Sequence, residues 1–335
     1  MSLRTIELLA GQVLAIVTLR DVFDTVVVPG GSKATLRVAR RCVALLLPLW
    51  KHLRHRAGIS TTFAPMILVL SFVIWMGLLS LAFGMMAHAL STSFDPPLRS
   101  FSQAVYLVGS GLVTVGLSET DALGGARWVV LGSGFCGLAV MTMAVTYLLV
   151  VQSSLAGRDT GILKLMTAAG NPPSALRLLE RHAAIENVSG ISRVLDDGRD
   201  WCASVQQSHA AHPSLIYFRS VGTGAGWPAA LGALLDLALI VEHLLDFREA
   251  RGCAALMREE GARMASELVT LLKLPPAAPA KALEGANGLK SRLMAAGYAI
   301  RQDADLEAFL RARQEHAVLV SALADHLGLP AASLD

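Results

Sequence analysis

The stretch from Phe63 to Leu90 reads FAPMILVLSFVIWMGLLSLAFGMMAHAL and contains no Asp, Glu, Lys or Arg. The segment from Trp128 to Gly157 contains none either. Each segment is longer than the roughly 20 apolar residues that an α-helix needs to cross the hydrocarbon core of a bilayer. The two segments predict two transmembrane helices and an all-α membrane protein.

The composition of the 335 residues agrees with this class. Hydrophobic residues make up 53%, charged residues 16%, and the mean hydropathy is +0.52. Because a soluble domain carries roughly a quarter charged residues, the composition excludes a disordered chain and disfavours a fully soluble one. A net charge of +3 does not indicate nucleic-acid binding. The four cysteines lie far apart and form no CxxC pair, so they predict neither a disulfide framework nor a metal site.

A third apolar segment, Ile6–Val28, precedes the two main spans. Its first half is apolar, and its second half contains Arg20, Asp21 and Asp24. Ionisable residues inside a span would mark a functional site. Alternatively, the hydrocarbon ends before Arg20, and Arg20 and Asp24 pair at i,i+4 near the headgroups. We favour the second interpretation and expect one extra transmembrane helix.

Loop charges predict the topology. Residues 29–62 contain seven basic residues and no acidic one, whereas residues 91–126 contain three acidic residues and one basic one. The positive-inside rule therefore places the first loop in the cytoplasm, the second loop and the N-terminus outside, and the chain after about Ser153 in the cytoplasm. Within the first loop, Leu36–Leu53 predicts an amphipathic interfacial helix, and the basic residues of 33–56 would meet anionic headgroups. Its residues expected to face lipid are Val38, Val43, Leu46, Leu47 and Trp50.

The segment between the two main spans is the most informative one. Residues 94–119 read FDPPLRSFSQAVYLVGSGLVTVGLSE. Asp95 followed by two prolines is typical of a helix start. The helix predicted over Leu98–Leu112 is too short to span a bilayer, so we expect a re-entrant helix that ends in a glycine-rich turn.

Val113–Glu119, VTVGLSE, resembles the selectivity filter of the potassium channels, whose usual form is T-V-G-Y-G-D or T-V-G-F-G-D. The order of outer helix, re-entrant helix, filter and inner helix is similar too, over Phe63–Ser154. The resemblance is to the two-transmembrane pore module of bacterial potassium-channel-like proteins. It implies a homotetramer in a bacterial inner membrane, with K⁺ in the filter and no other cofactor. The implied filter residues are Thr114, Val115, Gly116, Leu117 and Ser118.

Backbone carbonyls of such a filter replace the hydration shell of the ion, and four chains are needed to close each ring. Gly116 permits the left-handed backbone that this arrangement requires. Leu117 replaces the aromatic residue of the family, Ser118 replaces its second glycine, and Gly111 stands where the family has a hydroxyl residue. Three functions therefore stay open: a potassium channel, a non-selective cation channel, or a non-conducting membrane-anchored sensor or scaffold.

The inner helix contains candidate gating residues. The resemblance to potassium channels implies that Gly137 is a hinge of the inner helix. Alternatively, glycines let membrane helices approach each other closely, and we prefer this second interpretation for Gly132 and Gly134. Met141, Val145 and Leu149 recur at four-residue spacing and share one helix face. They line the pore in one interpretation and pack against other helices in the other.

The sequence predicts three parts: an N-terminal transmembrane helix with the interfacial helix over 1–62, a pore module over 63–154, and a last part over 155–335. The last part has charges of both signs. Its pattern predicts a helical cytoplasmic domain. Ala229–Phe247 is apolar enough for a span, but Asp236 in its middle favours the core helix of a soluble bundle. The predicted helices are Ser174–Ala184, Gly190–Ser208, Ala229–Arg251, Met257–Leu274 and Asp305–Leu327.

This domain contains no nucleotide-binding, EF-hand or HExxH motif. His209 and His212 lack an acidic or Cys partner nearby in sequence, so no metal site is expected. No nucleophile, base and orienting group can be placed together, so we do not expect an enzyme. Tyr217, Arg219 and Trp227 flank a glycine-rich turn and form a possible regulatory pocket, although aromatic residues in such places are more often core.

Overall fold

The computed structural model describes residues 2–28, 38–53, 59–220, 222, 224–275, 288–330 and 334. The protein is largely helical, and these residues form eleven α-helices. The chain divides into two units, Met1–Val151 and Gln152–Asp335. The helices of the first unit are α1 (Leu3–Val26), α2 (Val38–Leu53), α3 (Ile59–Ala89), α4 (Phe101–Leu112) and the first part of α5 (Ala126–Ala169).

Two helices are long and apolar enough to cross a membrane, over Thr62–Ala89 of α3 and over α5. Much of their apolar surface is not covered by the chain itself: on α5, Trp128 is 75% and Phe135 72% exposed. A soluble core helix would bury such side chains. The two predicted main spans are thus present as helices, and α1, the expected extra span, is a helix too.

The ionisable residues of α1 are paired. Arg20 and Asp24 lie 3.7 Å apart, the i,i+4 pairing that the sequence predicts. Asp21 is fully buried, and its Oδ2 accepts hydrogen bonds from the Trp75 indole at 2.9 Å and from the Val38 amide at 3.2 Å. Asp21 therefore joins α1 to α3 and α2 as a hydrogen-bonded buried group.

The amphipathic helix α2 packs on the protein more closely than expected. Trp50 is buried and stacks on Phe63 of α3 with ring centroids 5.0 Å apart, and Val38 is buried as well. The prediction that these two residues face lipid is wrong, because Trp50 packs against α3 and Val38 lies beside Asp21 of α1. Among the basic residues of 33–56, the side chain of Arg41 is described and is exposed. The other basic side chains, including those of Arg40 and Lys51 in α2, lie outside the described part of the structure.

The segment between α3 and α5 forms a loop whose two ends pair with each other. Two short strands, β1 (Phe94–Asp95) and β2 (Asp121–Ala122), pair in antiparallel register and bring both ends of the loop together. The α4 helix lies between the two strands in sequence and packs against α3. It begins at Phe101, not at Leu98, because the Ser100 side chain, instead of Asp95, caps it by accepting from the Gln103 amide.

The second unit is a helical bundle built around one buried helix. α8 (Gly226–His243) is buried along almost its whole length, as the sequence predicts for a core helix. It packs against α6 (Ala175–Ala184), α7 (Gly190–Ala211), α9 (Arg248–Leu272) and α11 (Leu306–Leu327). The unit also contains the last part of α5 and α10 (Leu289–Ala295), which packs against α6.

The predicted division into Ala229–Arg251 and Met257–Leu274 is wrong. α8 ends at His243, and α9 runs without a break from Arg248. The backbone between them pairs with a distant segment: the Asp246 amide donates to the Ala299 carbonyl, and the Arg301 amide donates to the Leu244 carbonyl, both at 2.9 Å. These bonds use the backbone groups that would have continued the helix.

Candidate functional site

The C-terminal end of α4 organises the segment that follows it. The carbonyl oxygen of Ser110 accepts hydrogen bonds from the amides of Val115 at 2.8 Å and Gly116 at 3.0 Å. The Ser110 hydroxyl lies 2.8 Å from the Leu107 carbonyl oxygen and 2.9 Å from the Leu117 carbonyl oxygen, and its single proton can be donated to either. Ser110 thus contacts both the middle and the end of the predicted filter. Ser110 is not among the residues predicted from the sequence, because the family has its hydroxyl residue at the position of Gly111.

These bonds turn the amides of the segment towards α4 and leave its carbonyls free. The carbonyl oxygens of Thr114, Val115 and Gly116 accept no hydrogen bond from any described residue. The whole of Val113–Glu119 is exposed. Three consecutive carbonyls are therefore available for a ligand that needs oxygen atoms, such as a cation.

Backbone handedness alternates along the segment. Gly116 has a φ of +69°, the left-handed conformation predicted for it. Thr114 also has a positive φ, +63°, which costs a β-branched residue on the order of 1–3 kcal/mol. Ser118, which stands where the family has its second glycine, has no positive φ, and its hydroxyl accepts a hydrogen bond from the Thr120 amide at 3.1 Å.

Gly137 lies directly against the end of α4. A β-carbon built there would lie 1.8 Å from the Leu112 carbonyl oxygen, so the inner helix approaches α4 too closely for any other residue. At Gly134 the nearest such atom is 3.7 Å away, and at Gly132 3.6 Å, which are ordinary contacts. Close approach therefore explains Gly137, whereas at Gly132 and Gly134 the packing does not require glycine.

The three candidate pore-lining residues, Met141, Val145 and Leu149, are all exposed on α5. They occupy successive turns of an unbroken helix, as their spacing predicts. Within the described residues, no group of three or more His, Cys, Asp or Glu side chains is arranged to hold a metal ion.

The candidate regulatory residues of the second unit have structural partners. Trp227 is buried and contacts the ring of His209, with centroids 5.6 Å apart. The Tyr217 hydroxyl lies 3.3 Å from Nε2 of His326, and burial raises the pKa of Tyr217. Arg219 donates to the carbonyl at the end of α11. Tyr217 and Trp227 are thus core residues, in agreement with the alternative interpretation of this segment.

Arg158 is a second residue that the sequence analysis missed. Its guanidinium is buried and donates to the Leu215 carbonyl at 3.2 Å and the Phe218 carbonyl at 3.0 Å. Burial lowers its pKa, an effect that the neighbouring Asp159 opposes. The Trp201 indole in turn donates to the Arg158 carbonyl at 2.9 Å. These contacts fix the last part of α5 within the second unit.

No protein-family model, curated protein or solved structure matches this chain. The likeness to potassium channels therefore rests on the residues of the segment after α4 and on the order of the helices.

Proposed function

We propose that the protein is a homotetrameric cation channel, conducting potassium, in a bacterial inner membrane. The observation that carries the proposal is the row of three free carbonyls at Thr114, Val115 and Gly116, in an exposed segment whose amides bond to Ser110. Rings of such carbonyl oxygens would replace the hydration shell of the ion and so allow passive permeation.

One chain supplies one side of each ring, so the proposal requires four copies around an axis. The exposed filter segment and the exposed face of Met141, Val145 and Leu149 are surfaces that such an assembly would enclose. The C-terminal end of α4 carries partial negative charge, which would favour a cation beneath the filter.

A cation channel with a weak preference for potassium is the second candidate. The Ser110 hydroxyl lies 2.9 Å from the Leu117 carbonyl oxygen, so it would compete with a cation for this fourth consecutive oxygen. Fewer rings give fewer selective sites, and Leu117 itself stands where the family has an aromatic residue.

The membrane arrangement is part of the same proposal. We place α1, α3 and α5 as three spans with the N-terminus outside, and the unit Gln152–Asp335 in the cytoplasm, where it would bias the inner helix. The seven basic residues of 29–62, on one side of the two main spans, support this orientation.

Flux into proteoliposomes tests the proposal, with potassium and sodium gradients measured in parallel. Thr114→Ala should strongly reduce potassium flux, because it removes the side-chain hydroxyl that would lie beside the innermost ring, although the backbone carbonyl stays in place. Thr270→Ala on α9 is the matched control; its hydroxyl bonds to the carbonyl four residues earlier on its own helix, and flux should persist. Equal potassium and sodium flux would favour the second candidate, and no flux from the unmodified protein would contradict both.

A further inference from the structure

A cavity of about 510 Å³ lies in the second unit, lined by the last part of α5 and by α6, α7 and α8. This volume is within the range of small-molecule sites. The buried side chains of Leu178, Trp201 and Leu234 line it and give it an apolar surface.

The rim of the cavity carries unpaired charges of both signs. Lys164 stands on α5 and Asp197 on α7; both are exposed, and neither forms an ion pair with any described residue. Asp200 lies beside Asp197 on the rim and is 3.7 Å from Arg199. The α5 wall of the cavity therefore carries a cation, and the α7 wall carries two carboxylates.

His182 adds a hydrogen-bond acceptor to this set. It lines the cavity and is only 7% exposed. Its Nδ1 lies 2.8 Å from the Asn187 carbonyl oxygen, so Nδ1 carries the proton and donates. Nε2 is then an acceptor with no hydrogen-bond partner in the described part of the chain. The protein does not cover Nε2 completely, so a ligand in the cavity can reach it.

We propose that this cavity binds a small zwitterion with an apolar body, such as a free amino acid with a large apolar side chain. Its ammonium group would donate to Asp197 and to Nε2 of His182, its carboxylate would pair with Lys164, and its side chain would rest on the apolar surface. A simple amine or a simple acid satisfies only one charged wall.

Binding would act on α5, because Lys164 and the small residues Gly157 and Gly161 bring that helix into the cavity wall. Any effect on a pore rests on the proposed function, whereas the binding itself does not. A failure of binding and a failure of flux are therefore separate results.

Isothermal titration of the full chain in detergent tests the inference with three probes: L-tryptophan, tryptamine and indole-3-propionate. We expect tryptophan to bind, and each of the others to bind about tenfold more weakly, since a hydrogen bond to a charged group contributes on that scale. Asp197→Asn and Lys164→Ala should weaken tryptophan binding to a similar extent. The control Asp196→Asn should not, because Asp196 pairs with Arg199 and does not line the cavity.

A second pair of variants separates blocking from misfolding. A β-carbon at Gly157 meets no atom within 4 Å, and both Gly157→Trp and Gly157→Ala remove a glycine from a helix, so both should fold. Gly157→Trp should abolish binding by filling the cavity, and Gly157→Ala should preserve it. No binding of tryptophan, equal binding of all three probes, or full binding by Gly157→Trp would overturn the inference.

Discussion

Replacing Asp236 by Asn should destabilise the second unit by about 3–5 kcal/mol, which is the usual cost of removing the charge of one partner in a buried ion pair. The Asp236 oxygens accept from Nε and Nη2 of Arg313 at 2.9 and 3.2 Å, and Nε2 of His316 lies 3.3 Å from Oδ1. The three residues are 2%, 3% and 5% exposed, so water cannot replace the lost contacts. The neutral amide would remove the carboxylate charge that faces the buried Arg313 guanidinium.

The effect should depend on pH in a defined direction. Burial raises the pKa of Asp236, but the charge of Arg313 and the contacts with His316 outweigh it and hold the pKa below its ordinary value of 3.8. A lowered pKa means that the carboxylate stabilises the fold fully above pH 3.8 and loses this contribution as the pH falls through the folded value. The difference between the native protein and Asp236→Asn should therefore shrink below pH 3.8.

Hydrogen exchange of the full chain in detergent, followed by mass spectrometry, measures the loss of stability helix by helix. Peptides from α8 and α11 should lose protection in Asp236→Asn, whereas peptides from α3 and α4 should not. Asp303→Asn, which removes a carboxylate from an exposed pair with Arg301, is the control and should leave exchange unchanged. Replacing Asp236 and Arg313 together by Leu should restore most of the protection, because no unpaired charge remains. Equal protection in Asp236→Asn and in the control would refute the reasoning.

Three further predictions concern other buried groups. Burial lowers the pKa of His209 from 6.5 to about 3, so between these pH values the unfolded chain binds a proton that the folded unit does not. The free energy of unfolding should therefore fall as the pH drops from 6.5 to about 3, by at most about 1.4 kcal/mol per pH unit. His209→Asn should flatten this pH dependence in a series of thermal melts. Gly137→Ala should lower the thermal stability of the first unit by about 1–3 kcal/mol because its methyl group meets the end of α4, whereas Gly134→Ala should not. Ser110→Ala removes the hydroxyl that holds the fourth carbonyl, at a cost of about 1 kcal/mol, and should reduce potassium flux about fivefold; unchanged flux would contradict its anchoring role.

Local sequence signals predicted the elements that depend on local chemistry. The absence of charge located α3 and α5, and the apolar run ending near Leu112 located α4 within three residues of its start. The break between α8 and α9 could not be read from its own residues, because backbone groups around Ala299 create it through hydrogen bonds. The segment after α4 was located by its resemblance, but its anchor Ser110 depends on how the chain turns back, which no spacing rule specifies.

The two most apolar helical regions show why hydropathy alone does not decide where a helix lies. α8 and the first part of α5 are both rich in Leu, Ala and Val, yet α8 is covered by its own chain whereas Trp128 and Phe135 on α5 are not. α8 packs against α9 and α11, and its one acidic residue before Glu242, Asp236, pairs there with the buried guanidinium of Arg313. The part of α5 before Val151 contains only one charged residue, Arg127, in its first turn. Its apolar side chains can be covered by lipid or by other copies of the chain, and both are what a tetrameric membrane pore requires.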